Sequence, residues 1–175
     1  ADDPSLLGDL AWTHFTMAGM LMQVVDPSWL DSYNEGVALL EEILRTETSE
    51  GDLGRMAEGV WHAGSTGGPN ALKAIMLRPE EAFAANQRAA ELTGKCAERY
   101  PGVPWFRNDL AIDYHLMGHM IEARSFEASM DLHQRSLALW LALYDEDNTS
   151  IDFAYGIALS ANRIGSLHYS EGRLE

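Results

Sequence analysis

His115, His119 and Glu122 stand at i, i+4 and i+7, a spacing that puts all three side chains on one face of a helix. Two imidazoles one turn apart can chelate zinc or nickel, and the carboxylate can supply a third ligand, which makes this face the weak candidate for a metal site. The same face can instead contact a ligand directly, and the expectation that comes first is that its histidines are plain packing or solvent-exposed side chains. His133 lies beyond the turn that follows, at a position expected to face back toward this helix. Other chemistries fail on spacing. The sequence has no Glu-x-x-His pair and no His-Glu-x-x-His motif, so neither a helical di-iron centre nor a zinc protease is expected. Glu41-Glu42 and Glu80-Glu81 are adjacent on helices and diverge by about 100°, too far for paired catalytic carboxylates. The glycine-rich stretch Gly64 to Pro69 lacks the Lys-Ser/Thr ending of a phosphate-binding loop. Cys96 has Lys95 and Arg99 nearby but no histidine to activate it. No catalytic residue and no cofactor are assigned.

The elements that must position these residues are helical. Leu6, Leu10, Phe15, Ala18, Met22 and Val25 recur at helical spacings, as do Val37, Leu40, Ile43 and Leu44. No segment alternates like a strand. Asp26-Pro27-Ser28 breaks the chain, with Ser28 placed to cap the next helix. Pro79-Glu80-Glu81 opens another helix, with acids at its positive end. Tyr100 to Pro104 closes that one, and Asp145 to Thr149 is an acidic turn before the last. Seven or eight helices are predicted, with Trp12, Trp29, Trp61, Trp105 and Trp140 filling the core between them.

Charge narrows the function classes. The 175 residues carry 27 Asp and Glu against 12 Lys and Arg, a net charge of −15. Lys73 and Lys95 are the only lysines, so no basic patch is available for nucleic acid or an anionic membrane. Twelve of the acids lie in residues 1–60 with only Arg45 and Arg55 beside them, a face suited to solvent or to a basic partner. A hydrophobic share of 46 % is that of a folded domain. No apolar run reaches the roughly 20 residues that span a bilayer. The lone cysteine suggests a reducing, cytoplasmic setting; the absence of an initiator Met leaves processing or export open, and Leu174-Glu175 can be native or vector-derived.

Internal repetition is the most informative pattern. Gln87-Arg88-Ala89 and Gln134-Arg135-Ser136 lie 47 residues apart, as do Gly118 and Gly165, and one further step back reaches Ala71. Small residues recurring at one helix position let neighbouring helices approach closely. The ending Ile164 to Glu175 resembles the first helix and turn of a tetratricopeptide repeat, a family with a small residue at its eighth position, an aromatic at its eleventh and Gly at the turn. Gly165, His168, Gly172 and Leu174 take those places, with His168 where Tyr is usual. The preceding unit matches through Gly118, Phe126, Ser129 and Ser136, is one residue shorter at the turn, and has Arg124 or Ser125 where Gly is expected. Trp29 to Leu40 looks like a second helix of the same kind. The likeness covers about 104–175 closely and the earlier chain more loosely, and its period is longer than the family's usual one of roughly 34.

The resemblance implies an all-α solenoid of about three and a half stacked helix pairs over residues 1–175, with units near 5–48, 52–100, 104–146 and an incomplete 149–175. Such a chain is expected to be part of a longer array, or to be completed by another chain, including self-association through the incomplete last unit. In the family's frame the Gly64–Pro69 loop splits a first helix as a surface insertion. First helices line a concave groove, which here draws on Ile112, His115, His119 and Glu122 from one unit and Leu159, Asn162, Ser166 and Tyr169 from the next. The implied function is a noncatalytic protein–protein interaction or scaffold module that binds a peptide or helix of another protein, with a basic segment favoured. The groove lacks the Lys and Arg with which relatives clamp carboxylate tails. Alternative expectations are a regulatory region of a larger enzyme and a metal-responsive or self-assembling helical protein.

Overall fold

The computed structural model describes residues 4–24, 26–45, 79–170 and 172, and the readings at Trp61, Gly64–Pro69 and Ala71 lie outside them. Among the described residues there are six helices and no strand: α1 (Pro4–Gln23), α2 (Trp29–Arg45), α3 (Pro79–Arg99), α4 (Pro104–Ile121), α5 (Phe126–Glu146) and α6 (Ile151–Ser170). The chain divides into two compact units, residues 1–96 and 97–175.

In the first unit α1 packs along α2. Asp26 holds the turn between them by accepting from the backbone N–H and the hydroxyl of Ser28 at 2.9 and 2.7 Å. Ser28 stands directly before α2, and its carbonyl accepts from Ser32 N–H. The buried face of α1 is Ala11, Phe15, Ala18 and Met22, set against Trp29, Tyr33, Val37 and Leu40 of α2. The Phe15 ring lies over Gly36, where a Cβ would come within 2.8 Å of it, and meets Tyr33 edge-on at 5.7 Å. α3 buries Ala82, Ala85, Ala89, Leu92 and Cys96. Its Arg88 forks onto both oxygens of Glu41 on α2 at 3.0 and 2.6 Å, while Glu42 pairs with Arg45 instead. The two adjacent acids therefore point to different cations.

In the second unit α5 packs against both α4 and α6, and α4 also reaches α6. Ser125 caps α5 by accepting from Ala128 N–H at 3.2 Å. The α5–α6 turn is held by Asp147, which accepts from the Thr149 N–H and hydroxyl, and by Ser150, which accepts from Phe153 N–H. Ala111, Trp140, Leu143 and Phe153 form the core, with Ile112, Leu139, Tyr144 and Ile157 packed around them. Trp140 donates its indole N–H to Asn108 at 3.1 Å. A Cβ on Gly156 would overlap the Trp140 ring, so glycine lets α6 close on α5. The tryptophans do not act alike: Trp29 and Trp140 fill cores, whereas Trp12 and Trp105 are 43 % and 54 % exposed because their helix positions turn away from the packed faces. Gly172, at φ +67°, ends α6 in the left-handed conformation that favours glycine after a helix. Among the described residues no helix is long and apolar enough to cross a membrane.

Candidate functional site

The second unit gathers three imidazoles. α4 supplies His115 and His119 one turn apart, and α5 turns His133 back onto them. Ring centroids lie 4.6 Å apart for His115–His119, 4.9 Å for His115–His133 and 5.1 Å for His119–His133, all three edge to face. Gly118 makes the room: a Cβ there would lie 2.7 Å from His133 Nε2. Gly165, its counterpart by the repeat, has open space around it.

Hydrogen bonds assign the tautomers. Ser136 donates to the Ala111 carbonyl at 2.6 Å, and Ser160 donates to Ser136 at 3.1 Å. With its proton so used, the Ser160 oxygen is left to accept from His115 Nδ1 at 3.4 Å. His115 Nε2 is then the acceptor in its 3.0 Å contact with His119 Nε2–H. The relay crosses α4, α6 and α5 and returns to α4. His133 is fully buried, and among the described residues neither of its ring nitrogens has a hydrogen-bond partner. That arrangement carries a desolvation cost even for the neutral ring, and a larger one for the charged ring.

Burial, reinforced by its two histidine neighbours and by Arg163, pushes His115 down to about 3. Burial and then His119 push His133 down to about 4. His119 is lowered by burial and then by Arg163. All three rings are therefore neutral at neutral pH. Glu122 forms an ion pair with Arg163 of α6, and its oxygen lies 3.9 Å from His119 Nδ1. The carboxylate thus sits at the opposite ring nitrogen from the one that meets His115. Consistent with that geometry, among the described residues no three His, Cys, Asp or Glu side chains are placed to hold a metal ion.

The residues assigned from sequence fall into two places. Ile112 packs on the core, His115 is 6 % exposed, and His119 and Glu122 are partly open. Leu159, Asn162, Ser166 and Tyr169 all face solvent on α6, opposite Gly156, Ser160 and Leu167. Ile151 and Tyr155, 82 % and 67 % exposed, extend that row and were not assigned from sequence. Nor were Ser160 and Arg163, whose only sequence signal is a small and a basic residue on the face of α6 that also carries Gly156. Cys96, the single cysteine of the chain, is buried and forms no internal disulfide. No protein-family model, curated protein or solved structure matches the chain.

Proposed function

We propose that the chain is a noncatalytic recognition module, a tetratricopeptide-like array of stacked helix pairs that binds a peptide or helix of another protein. The observation that carries this reading is the solvent-facing row on α6: Ile151, Tyr155, Leu159, Asn162, Ser166 and Tyr169, at spacings of three and four. Exposed tyrosines offer an apolar ring with a polar tip, and Asn162 and Ser166 add donors and acceptors between them. His119 and Glu122 supply further polar groups at the surface of α4. In a chain of net charge −15, such a face suits a partner segment bearing Lys or Arg beside apolar anchors.

The test is selection from a displayed library of linear peptides, followed by titration of the enriched peptides against purified protein. The expected sequences are basic with apolar anchors. The paired change Leu159→Glu and Tyr169→Ala should weaken them at least tenfold, while Gln134→Ala on exposed α5 surface should not. Enrichment of nothing, or equal binding by the α6 variant, would overturn the reading.

A further inference from the structure

α1 carries two apolar faces, and only one of them packs on α2. Leu6, Leu10, Met17 and Met20 of α1, and Val24 in the turn directly after it, are 64, 46, 46, 64 and 73 % exposed, and with exposed Thr13 they fall at spacings of 4, 3, 4, 3 and 4. That is the seam of a heptad-patterned helix pair. It runs on the side of α1 opposite Ala11, Phe15, Ala18 and Met22. Its one polar member is already engaged, because the Thr13 hydroxyl donates to the Asp9 carbonyl at 2.8 Å.

Three observations identify the occupant. The spacing of the seam, though not its residue types, reads the same in both directions about residue 15, so an antiparallel second copy pairs Leu6 with Val24, Leu10 with Met20 and Thr13 with Met17, each twice, as a two-fold interface requires. From Leu10 to Val25 there is no Asp, Glu, Lys or Arg, so the copies can meet without the repulsion that a net charge of −15 imposes elsewhere. Antiparallel pairing also sets Asp9 opposite Leu21 instead of opposite its own copy, and opposes the helix dipoles favourably. Finally, the five apolar residues expose roughly 500 Å² per chain, so through them a pair can remove at most about 1,000 Å² from water, the lower edge of a specific interface.

We infer that α1 is a homodimerisation helix that pairs antiparallel with α1 of a second copy through Leu6, Leu10, Thr13, Met17, Met20 and Val24. This face is independent of the α6 row and of the partner-binding role.

Sedimentation equilibrium across a concentration series tests it directly. The wild type is expected to move from 19.4 kDa toward twice that mass. Leu10→Glu alone and Met20→Lys alone should each weaken association on the order of 100-fold by burying an unpaired charge. The double variant should recover most of it, since each new carboxylate meets a new ammonium in the antiparallel register. Circular dichroism checks that helix content is unchanged at these exposed sites. As a second measurement, chains bearing Thr13→Cys mixed with chains bearing Met17→Cys should form a disulfide-linked dimer faster than either variant alone. A wild type that stays monomeric, single variants that dimerise normally, or a double variant without recovery would each overturn the inference.

Discussion

His133 occupies the space that a side chain at position 118 would claim: a Cβ on Gly118 would come within 2.7 Å of its Nε2 and 2.8 Å of its Cε1. The ring cannot retreat, because His115 and His119 lie against it. Gly118→Ala is therefore expected to destabilise the second unit by about 1–3 kcal/mol, overpacking outweighing the helix-propensity gain of roughly 1 kcal/mol. Gly165→Ala, with nothing within 4 Å, is the control and should stabilise by about 0.5–1 kcal/mol. Urea unfolding of both variants checks the contrast, and a matching sign would sink it.

Acid should destabilise the second unit, with Asp109 opposing. Unfolded, His115 and His133 take up protons as pH falls through about 6.5, whereas folded they stay neutral to about 3 and about 4. The folded pKa values are depressed, so stability is whole above pH 6.5 and is lost toward pH 4. Burial raises Asp109 from 3.8 to about 7, so its contribution is whole below pH 3.8 and is lost as pH rises toward 7. Two histidines against one aspartate leave a net loss of about 1.4 kcal/mol per pH unit near pH 5. Asp109→Asn should raise stability at pH 7 and roughly double that slope. Urea midpoints from pH 7 to 5 measure both; a flat wild-type profile would count against the buried neutral rings.

Arg163 should hold down two histidines across a helix interface. It lowers His119 next after burial, lowers His115 last, behind burial, His119 and His133, and is anchored by Glu122. Arg163→Gln is expected to raise the His119 midpoint in an NMR titration, with His115 moving the same way. Arg163→Lys, which keeps the charge, should leave His119 closer to wild type. Unmoved resonances in Arg163→Gln would show that burial and the neighbouring histidines set these values without Arg163.

The helices were legible because punctuation and periodicity agree: Pro79 begins α3, the Tyr100 to Pro104 stretch parts α3 from α4, which starts at its last residue, and Asp26-Pro27-Ser28 separates α1 from α2. The backward orientation of His133 was legible as well, from its place after the turn. Its ring-to-ring packing was not, because it depends on how closely α4 and α5 approach, which Gly118 sets through space. Ser160 and Arg163 were hidden for a related reason. Their partners Ser136, His115 and Glu122 lie on other helices, and no spacing along one helix encodes that register. The α1 seam was only half legible: Leu6 and Leu10 were grouped with Phe15 and Ala18 as one stripe, but α2 covers only the latter pair's side.

The Trp140–Asn108 hydrogen bond offers the cleanest energetic test of the α4–α5 interface. The indole N–H reaches Asn108 Oδ1 at 3.1 Å between two buried residues, and Asn108 Nδ2 lies 3.4 Å from Asp109 Oδ1. Trp140→Phe removes the donor and leaves a cavity beside Gly156, so its total cost overstates the bond. Asn108→Ala removes the acceptor and strands the buried indole N–H, a penalty of about 1–3 kcal/mol. In the double variant neither group is stranded, so the combined cost should fall short of the sum of the single costs by about 1 kcal/mol. A double-mutant cycle by urea unfolding measures that shortfall. Strict additivity would mean that the two residues stabilise the interface through packing alone.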